Sequence, residues 1–389
     1  MKASDVRAGP ILCVVGARPN YMKMAPLVAA FRARPSLPPV TLLHTGQHYD
    51  AAMKDRLFAD LALPPPDVDL EVGSGTHAVQ TAEIMRRFEP VVDRLAPSFV
   101  VVVGDVNSTL ACALVAAKKG IAVAHVEAGL RSYDRAMPEE INRVLTDQLA
   151  DVLYTTERDA ARNLAREGID EMRVAFVGNL MIDSLMANRA RAMAPGQVLR
   201  AGGLDEALIA SPRGFGLVTL HRPSNVDDEH ALAECLEAIA EVATRLPLVW
   251  PVHPRTLANI RRFGLAAMID EKSIALLPPQ GYLEMVGLMQ DARLVLTDSG
   301  GVQEETTALA VPCLTMRENT ERPITIEQGT NVLVGRDRAL IRRAVDDILA
   351  TGGKRGRVPE LWDGRAAARI AADLERRLAA ASCTAAVPA

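Results

Sequence analysis

The 389-residue chain has few aromatic residues, 4% of the total, and five cysteines, none of which forms a CxxC pair. Ala, Val and Leu must therefore form most of the core, as in α/β proteins built from short helices and buried strands. Four of the cysteines stand in apolar runs, which predicts reduced, buried thiols and a cytoplasmic protein. The five are Cys13, Cys112, Cys235, Cys313 and Cys383.

Other absences narrow the function further. The net charge of −4 gives no overall field that would recruit nucleic acid or an anionic membrane. No apolar run reaches 18 residues, and the short polar N-terminus does not resemble a signal peptide, so we expect neither a membrane span nor a leader. The sequence lacks a P-loop, a GxSxG elbow and metal-ligand spacing, and its one GxGxxA match (residues 73–78) follows a poor strand. We therefore predict no nicotinamide cofactor and no metal.

Short apolar runs alternate with amphipathic stretches along nearly the whole chain. The strand-like runs are continuous rather than alternating, which predicts doubly wound parallel sheets buried on both faces. The pattern restarts after a stretch rich in Ala, Gly, Pro and Arg at 189–214, which reads as a crossing between domains. We predict domains at 1–188 and 189–363, with a last helix from 364 onward returning to the first domain, and a ligand cleft between the domains.

The stretch LTDSGGVQEE (296–305) is the strongest local signal for a binding site. A strand leads into the turn Ser299, Gly300, Gly301, and a helix follows, so backbone N–H groups and the helix dipole would converge on one point. A phosphate is the natural ligand of such a turn. Glu304 and Glu305 would lie in the first helical turn, where a carboxylate could bind ribose hydroxyls. Taken alone, an ordinary strand-to-helix loop explains the stretch equally well.

Charged residues follow the strands of the first half. Arg18 and Lys23 stand at the start of a predicted helix, where cations are unfavourable unless an anion binds there. Asp105 ends one strand, where it could also be a helix N-cap, and Glu127 ends the next, where no helix begins.

Glu139 opens the helix PEEINR and by itself reads as ordinary helix-start chemistry, with Arg143 as its i,i+4 partner. Three carboxylates at one sheet edge, Asp105, Glu127 and Glu139, are nevertheless what an acid/base site needs.

The second half adds cations at strand ends. His221 and Arg222 follow one predicted strand and could bind a diphosphate. Arg322 supplies a further cation, whereas His253 reads as a packed loop histidine.

Several segments together resemble the non-hydrolysing UDP-N-acetylglucosamine 2-epimerase family. They are GARPNYMKMAPL, TGQHYD, VVGDVNSTLA, HVEAGLRS, PEEINR, HRPSNVD, PVHP, TDSGGVQEE and TERP, in that order from about residue 14 to residue 335. Each segment is weak by itself, but the ordered set is specific. The resemblance implies a GT-B-like fold of two Rossmann-like domains that close on a UDP-sugar, in a homodimeric isomerase.

The resemblance also implies roles for individual residues. Asp105, Glu127 and Glu139 match the catalytic acids, and Lys23 matches an active-site lysine. The positions around the diphosphate and the rest of the substrate are Arg18, Arg143, His221, Ser299, Gly300, Gly301 and Arg322. Glu305 matches the ribose-binding acid, and Met285 the position near uracil.

Three departures from the better-known members are visible. The first motif reads ARPN rather than TRPE, and Pro223 follows His221-Arg222 where a second arginine is usual. Tyr49 and Asp50 replace the polar pattern of members that bind an activating second UDP-sugar, so allosteric activation is in doubt.

We therefore expect inversion at C2 of UDP-N-acetylglucosamine, giving UDP-N-acetylmannosamine through elimination and re-addition of UDP. Two alternatives remain at this stage: a hydrolysing 2-epimerase that releases N-acetylmannosamine and UDP, and a GT-B glycosyltransferase that uses a UDP-sugar.

Overall fold

The computed structural model describes residues 9–46 and 51–385. The chain divides into two compact units, Met1–Ala187 together with Glu360–Ala389, and Asn188–Pro359. Each unit has its own parallel sheet and its own apolar core. The predicted domain bounds of 1–188 and 189–363, with a returning helix at 364–389, stay a prediction.

The first unit is built on seven parallel strands in the order β3-β2-β1-β4-β5-β6-β7. These strands are β1 (Ile11–Val15), β2 (Val40–His44), β3 (Val68–Asp69), β4 (Phe99–Val103), β5 (Ala122–Ala128), β6 (Val152–Thr155) and β7 (Val174–Phe176). The helices between them are α1 (Arg18–Arg32), α2 (Ala51–Asp60), α3 (His77–Leu95), α4 (Asn107–Lys118), α5 (Pro138–Leu149), α6 (Arg158–Arg166) and α7 (Leu180–Asn188). Every residue of β1, β4 and β5 is buried, as continuous apolar strands require.

The second unit has six parallel strands in the order β10-β9-β8-β11-β12-β13. These strands are β8 (Gly216–Thr219), β9 (Leu248–Pro251), β10 (Ile274–Leu277), β11 (Leu294–Thr297), β12 (Cys313–Thr315) and β13 (Asn331–Leu333). Its helices are α8 (Pro195–Ala201), α9 (Pro223–Val226), α10 (Glu229–Ala243), α11 (Pro254–Arg262), α12 (Tyr282–Asp291), α13 (Gly300–Leu309), α14 (Pro323–Glu327) and α15 (Arg338–Thr351). The last helix of the chain, α16 (Ala366–Ala385), belongs to the first unit and packs on α1.

Each sheet reverses its strand order at one point. In the first sheet the reversal lies between β1 and β4, and in the second it lies between β8 and β11. At such a switch point the loops leave neighbouring strands on opposite sides and open a crevice at the carboxyl ends of the strands. The motifs GARPN and GDVNS follow β1 and β4, and HRPSN and DSGG follow β8 and β11. Both groups of candidate residues therefore start at switch points.

The predicted class of doubly wound parallel α/β sheets is confirmed, and two local expectations are corrected. The stretch 189–214 is not a plain linker, because it contains α8 and two 3₁₀ turns. Helix α13 starts at Gly300, so Glu304 and Glu305 lie in its second turn rather than its first. Among the described helices, none is both long and apolar enough to cross a membrane.

Four cysteines are described with their side chains, and each is a buried free thiol, as the sequence predicts. Burial raises the pKa of the Cys13 thiol to about 12, so this group stays protonated at neutral pH. Residues 47–50, which carry the departure at Tyr49 and Asp50, lie outside the described part of the chain.

Candidate active site

The first functional turn, between β1 and α1, is held by Asn20. Its side-chain oxygen accepts hydrogen bonds from the backbone N–H groups of Gly16 at 3.1 Å and Ala17 at 3.0 Å. Its side-chain nitrogen donates to the carbonyl of Val103 at 3.0 Å. This amide therefore ties the start of α1 to the end of β4 and places Arg18, the first residue of α1, at the switch point.

Gly104 lies at the centre of the polar residues in the first unit. It has φ of +72°, which glycine adopts without strain. A Cβ at this position would lie 3.6 Å from Lys23 Nζ and 3.7 Å from Glu127 Oε2. Lys23 and Glu127 are ion-paired, with only 8% and 6% of their side chains exposed. The lysine that the sequence placed beside a bound anion is thus paired with one of the predicted catalytic acids.

Glu127 itself has an unusual backbone. Its φ is +74°, which is uncommon for a residue with a Cβ, and the pairing of β5 with β6 shifts register between Val126 and Ala128. Such left-handed residues cost free energy and are concentrated at functional sites. The bulge with its left-handed residue places the Glu127 side chain beside Lys23 and Gly104.

The carboxylate of Asp105 is held by Arg143. The guanidinium donates to Asp105 Oδ2 at 2.5 Å and also pairs with Glu140, three residues earlier on α5. Asn142 donates to the backbone carbonyl of Asp105 at 2.9 Å. With 29% of its side chain exposed, the Asp105 carboxylate is more open to solvent than that of Glu127. The two acids therefore occupy different electrostatic environments.

Glu139 stands at the second position of α5 and is half-buried. Within the described chain, no hydrogen bond or ion pair holds its carboxylate. Arg143 pairs instead with Glu140, at i,i+3, and with Asp105, so the predicted Glu139–Arg143 pair is wrong. This leaves the Glu139 carboxylate available to a ligand.

In the second unit the turn 299–301 begins helix α13. Ser299 is its N-cap, and by helix geometry the N–H groups of the next residues have no carbonyl partner within the helix. A Cβ on Gly300 would lie 2.7 Å from Glu321 Oε1 and 3.5 Å from Arg322 Cζ, so any larger residue would force the Glu321 carboxylate to move. Amide donors, the helix dipole and a guanidinium converge here, which is the arrangement expected of an anion site.

His221 is fixed beside this turn by Asp298. The Asp298 carboxylate is fully buried and lies 3.0 Å from the ring Nδ1 of His221. It also accepts from the backbone N–H groups of His221 and Arg222 and from the side chain of Asn225. The ring of His221 therefore has one orientation, with Nε2 pointing away from Asp298.

A buried ionic cluster lies next to the glycine turn. Glu321 pairs with Arg317 at 2.8 Å, with Arg222 at 3.4 Å and with Arg322 at 3.5 Å. Arg322 lies 2.9 Å from Glu304. Burial alone would raise the pKa of Glu321, but the three guanidinium groups hold it well below its ordinary value. Three guanidinium groups and two carboxylates therefore meet beside the glycine turn.

The remaining predicted residues of the second unit lie on α12 and α13. Glu305 is buried, and Tyr282 donates its hydroxyl proton to Glu305 Oε1 at 3.0 Å. Met285, predicted near uracil, is half-buried on α12, the helix that carries Tyr282. The described residues contain no group of three or more His, Cys, Asp or Glu side chains that could hold a metal ion.

Comparison with known proteins decides the family. The family model described as UDP-N-acetylglucosamine 2-epimerase matches residues 30–375. The chain belongs to this family. A UDP-N-acetylglucosamine 2-epimerase of Methanocaldococcus jannaschii is 42% identical over 86% of this chain and 91% of its own. A UDP-2,3-diacetamido-2,3-dideoxy-D-glucuronate 2-epimerase of Pseudomonas aeruginosa is also 42% identical, over 85% of this chain and 90% of its own.

The solved structures agree with this assignment. The M. jannaschii UDP-GlcNAc 2-epimerase, crystallised in complex with UDP-GlcNAc and UDP, superposes with a TM-score of 0.82 at 39% identity. The match covers 94% of this chain and 99% of that one. The GT-B-like fold class and the assignment as an isomerase, both expected from the sequence, are therefore confirmed.

Sequence reasoning missed several residues of this epimerase. Asp298 and Tyr282 hold the predicted site residues His221 and Glu305 in place, and Arg317 pairs with Glu321 beside the glycine turn. Asn20 and Asn142 hold the turns that carry Arg18 and Asp105. Asp298 could have been predicted from the sequence, because it directly precedes the Ser299 turn at the end of a strand. The contacts of the others depend on pairing between distant segments, for which a single sequence has no signal.

Proposed function

We propose that this epimerase inverts C2 of UDP-N-acetylglucosamine and gives UDP-N-acetylmannosamine, by eliminating and re-adding UDP. The observation that carries the proposal is the pairing of Lys23 with Glu127 beside Asp105. Two carboxylates in different environments can supply the acid and the base that inversion at one carbon requires. The assignment to the epimerase family supports the same reaction class.

The order of bond breaking follows from acidity. The C2 proton is not acidic while the C1–O bond to UDP is intact. When that bond breaks first, positive charge develops at C1, and a carboxylate can remove the C2 proton. The products of this half-reaction are UDP and 2-acetamidoglucal. A proton then returns to the opposite face of C2 as a UDP oxygen re-forms the bond to C1.

The second unit supplies what the departing UDP needs. Amides of the Ser299, Gly300 and Gly301 turn, with His221 and Arg322, are donors aimed at a developing negative charge. In our proposal Glu305 binds the ribose and Met285 contacts the uracil. Fixed donors of this kind act without reorganising during the reaction.

The first unit supplies the proton transfers. We propose that Glu127 and Asp105 serve the two faces of C2, one as base and the other as acid, and that Lys23 and Arg143 hold them in position. Glu139, held by none of the described side chains, is available to face the cationic intermediate or to orient one of the other acids. Arg18 is assigned to the diphosphate, where a cation at a helix start gains an anionic partner.

The test is proton NMR of UDP-N-acetylglucosamine incubated with enzyme in D2O. Deuterium should appear at C2 of both epimers, because the proton that returns comes from solvent. Glu127→Gln should abolish or sharply reduce this incorporation, while Glu229→Gln, an exposed residue of α10, should leave it unchanged. Epimerisation that retains the original hydrogen would refute elimination.

The hydrolysing alternative predicts a different product. It would release free UDP and N-acetylmannosamine in equal amounts, which the same NMR experiment detects. In the proposed reaction, free UDP and the glycal should remain a small fraction of the sugar. A glycosyltransferase would need an acceptor before consuming the UDP-sugar, so turnover without an acceptor argues against it.

A second substrate has one observation in its favour. The P. aeruginosa relative is as similar to this chain as the M. jannaschii relative, yet its name specifies UDP-2,3-diacetamido-2,3-dideoxy-D-glucuronate. Both sugars carry an acetamido group at C2 and the same nucleotide, so the mechanism is unchanged. Comparison of kcat/KM for the two sugars decides between them.

We also propose a homodimer. Ile141 and Leu145 lie four residues apart on α5 and expose 42% and 46% of their surface, so they form an apolar stripe on one helix face. Light scattering should give twice the chain mass, and Ile141→Glu with Leu145→Glu should lower it. A cytoplasmic location stays a prediction.

A further inference from the structure

His125 is a fully buried histidine that the proposed mechanism does not use. It lies on β5, two residues before Glu127, and none of its surface is exposed. Its Nδ1 lies 2.6 Å from the carboxylate of Asp147 on α5, and its Nε2 lies 2.8 Å from the backbone carbonyl oxygen of Gly104. Both partners can only accept hydrogen bonds, so both ring nitrogens must donate.

Asp147 is held firmly from its other side. It is fully buried and pairs at 2.7 Å with Arg131, whose guanidinium also forms two hydrogen bonds with Glu167. These contacts fix the carboxylate that meets the His125 ring. The backbone N–H of Gly129 completes the shell of Asp147 at 3.1 Å.

The other partner of His125, Gly104, connects the ring to the two proposed proton-transfer acids. Gly104 connects β4 to Asp105, and its Cα side faces Lys23 and Glu127. Gly104 thus faces the Lys23–Glu127 ion pair on one side and directly precedes Asp105 in the chain. Its carbonyl oxygen accepts a hydrogen bond from His125. Asn142 holds the following carbonyl, that of Asp105. A shift of Gly104 would change the spacing between the two acids.

We propose that His125 is a positioning residue that donates from both ring nitrogens, to Asp147 and to the carbonyl of Gly104, and that it thereby fixes Gly104 and the separation of Asp105 from Glu127. The inference rests on the proposed function, since those two acids are its candidate proton-transfer groups. His125 does not touch the substrate. Its role is to hold the acids within the few tenths of an ångström that proton transfer tolerates, and misplacement by about 1 Å can cost roughly a hundredfold in rate.

The two hydrogen bonds of the ring can be measured without any assay of activity. NMR of the enzyme labelled with ¹⁵N-histidine should show a proton on each ring nitrogen of one buried histidine. His125→Gln should remove both signals and so assign them. Only one ring proton on His125 would overturn the double donation.

Two variants separate positioning from general folding. In Asp147→Asn the amide can donate to Nδ1 of a neutral ring whose Nε2–H still reaches Gly104, so kcat should stay within about threefold while one ring proton disappears. His125→Gln cannot serve both acceptors, and its kcat should fall roughly ten- to hundredfold with the Kd for UDP unchanged. His230→Gln, at an exposed histidine of α10, is the matched control.

The outcomes distinguish this inference from the function on which it rests. Unchanged kcat in His125→Gln, in an enzyme that incorporates deuterium at C2, would refute the positioning role alone. An equal loss of kcat in Asp147→Asn would assign the effect to the charge and overturn the role of the Gly104 hydrogen bond. If the native enzyme incorporates no deuterium, the proposed function fails, while the ring protons still report on His125.

Discussion

The carboxylate of Asp298 binds His221 twice, through the ring Nδ1 at 3.0 Å and through the backbone N–H at 3.0 Å. Burial alone would raise the pKa of Asp298, but its hydrogen bonds with His221 and Arg222 and the charge of the His221 ring hold it below its ordinary value. The carboxylate engages the Nδ1 side of the ring and so fixes the ring's orientation. Nε2 is therefore the ring atom that can meet the diphosphate.

Replacing Asp298 by Asn should therefore weaken UDP binding. The amide can keep one hydrogen bond to the ring, but it loses the negative charge that strengthens the bonds to the ring and to the backbone N–H groups of His221 and Arg222. The ring is then held less firmly, so the Kd for UDP should rise about tenfold. Calorimetric titration with UDP measures this. If Asp298 acts only through His221, Asp298→Asn added to His221→Gln should cost nothing further, whereas additive losses would show that the two residues act separately.

The Lys23–Glu127 pair predicts that one double variant regains stability without regaining activity. Glu127→Gln removes the carboxylate that neutralises a buried ammonium, which should lower the free energy of unfolding by roughly 3 kcal/mol. In Lys23→Met with Glu127→Gln no charge remains at the pair, so much of that stability should return. Urea unfolding measures the free energy of unfolding, and deuterium incorporation at C2 measures the activity.

The activity of the double variant should stay lost, because Glu127 is a proposed proton-transfer group. Recovery of stability without recovery of deuteration would separate the two roles of the carboxylate. Recovery of both would show that Glu127 only neutralises Lys23, and the proposed mechanism would lose one of its acids.

The sequence indicates the regular elements well where an apolar run is continuous. The runs at 99–103, 152–155 and 294–297 form strands over the same residues. Short elements at sheet edges, such as β13, cannot be predicted in this way, because three residues give too little pattern to distinguish a strand from a loop. Helix α15 has a clearer start signal, since Asp337 caps it.

The site is predictable by residue type but not by partner. Each strand end that carries a charged residue was recognisable, because such residues are rarely needed for packing. Their pairing was not: Lys23 meets Glu127 across 104 positions of sequence, and Arg143 meets Asp105 across 38. The left-handed backbone of Glu127 was also invisible, since the bulge that causes it depends on the register of β5 with β6.

Gly300→Ala tests the glycine turn by steric means. The added methyl group would lie 2.7 Å from Glu321 Oε1, closer than real Cβ contacts allow, so the buried ionic cluster must shift. We expect the affinity for UDP to fall roughly tenfold, because the shift misplaces Arg322 and the amides together. Gly75→Ala is the matched control, since its Cβ would meet its nearest atom at an ordinary 3.6 Å. Equal UDP affinity in both variants would argue against a close-fitting anion site.

The start of α16 depends on one buried acid. Asp183, on α7, accepts hydrogen bonds from the backbone N–H groups of Ala366 at 3.0 Å and Ala367 at 2.8 Å. Burial raises the pKa of Asp183 to about 6, against the effect of these two hydrogen bonds, which lower it. The folded protein therefore binds this proton more tightly than the unfolded chain, where the pKa is ordinary.

This sign makes the contribution of Asp183 to stability fall as the pH rises. The contribution is fully present below the ordinary pKa of about 4 and is lost as the pH passes through about 6. Asp183→Asn cannot titrate, so relative to wild type its free energy of unfolding should rise by roughly 2 kcal/mol between pH 4.5 and 7.5. Urea unfolding across that range measures the difference. The control is Asp205→Asn, at an exposed cap, whose free energy of unfolding should change with pH in the same way as that of wild type. If the free energy of unfolding of Asp183→Asn also changes with pH as that of wild type does, the Asp183 carboxyl group has the same proton affinity in the folded and unfolded chains.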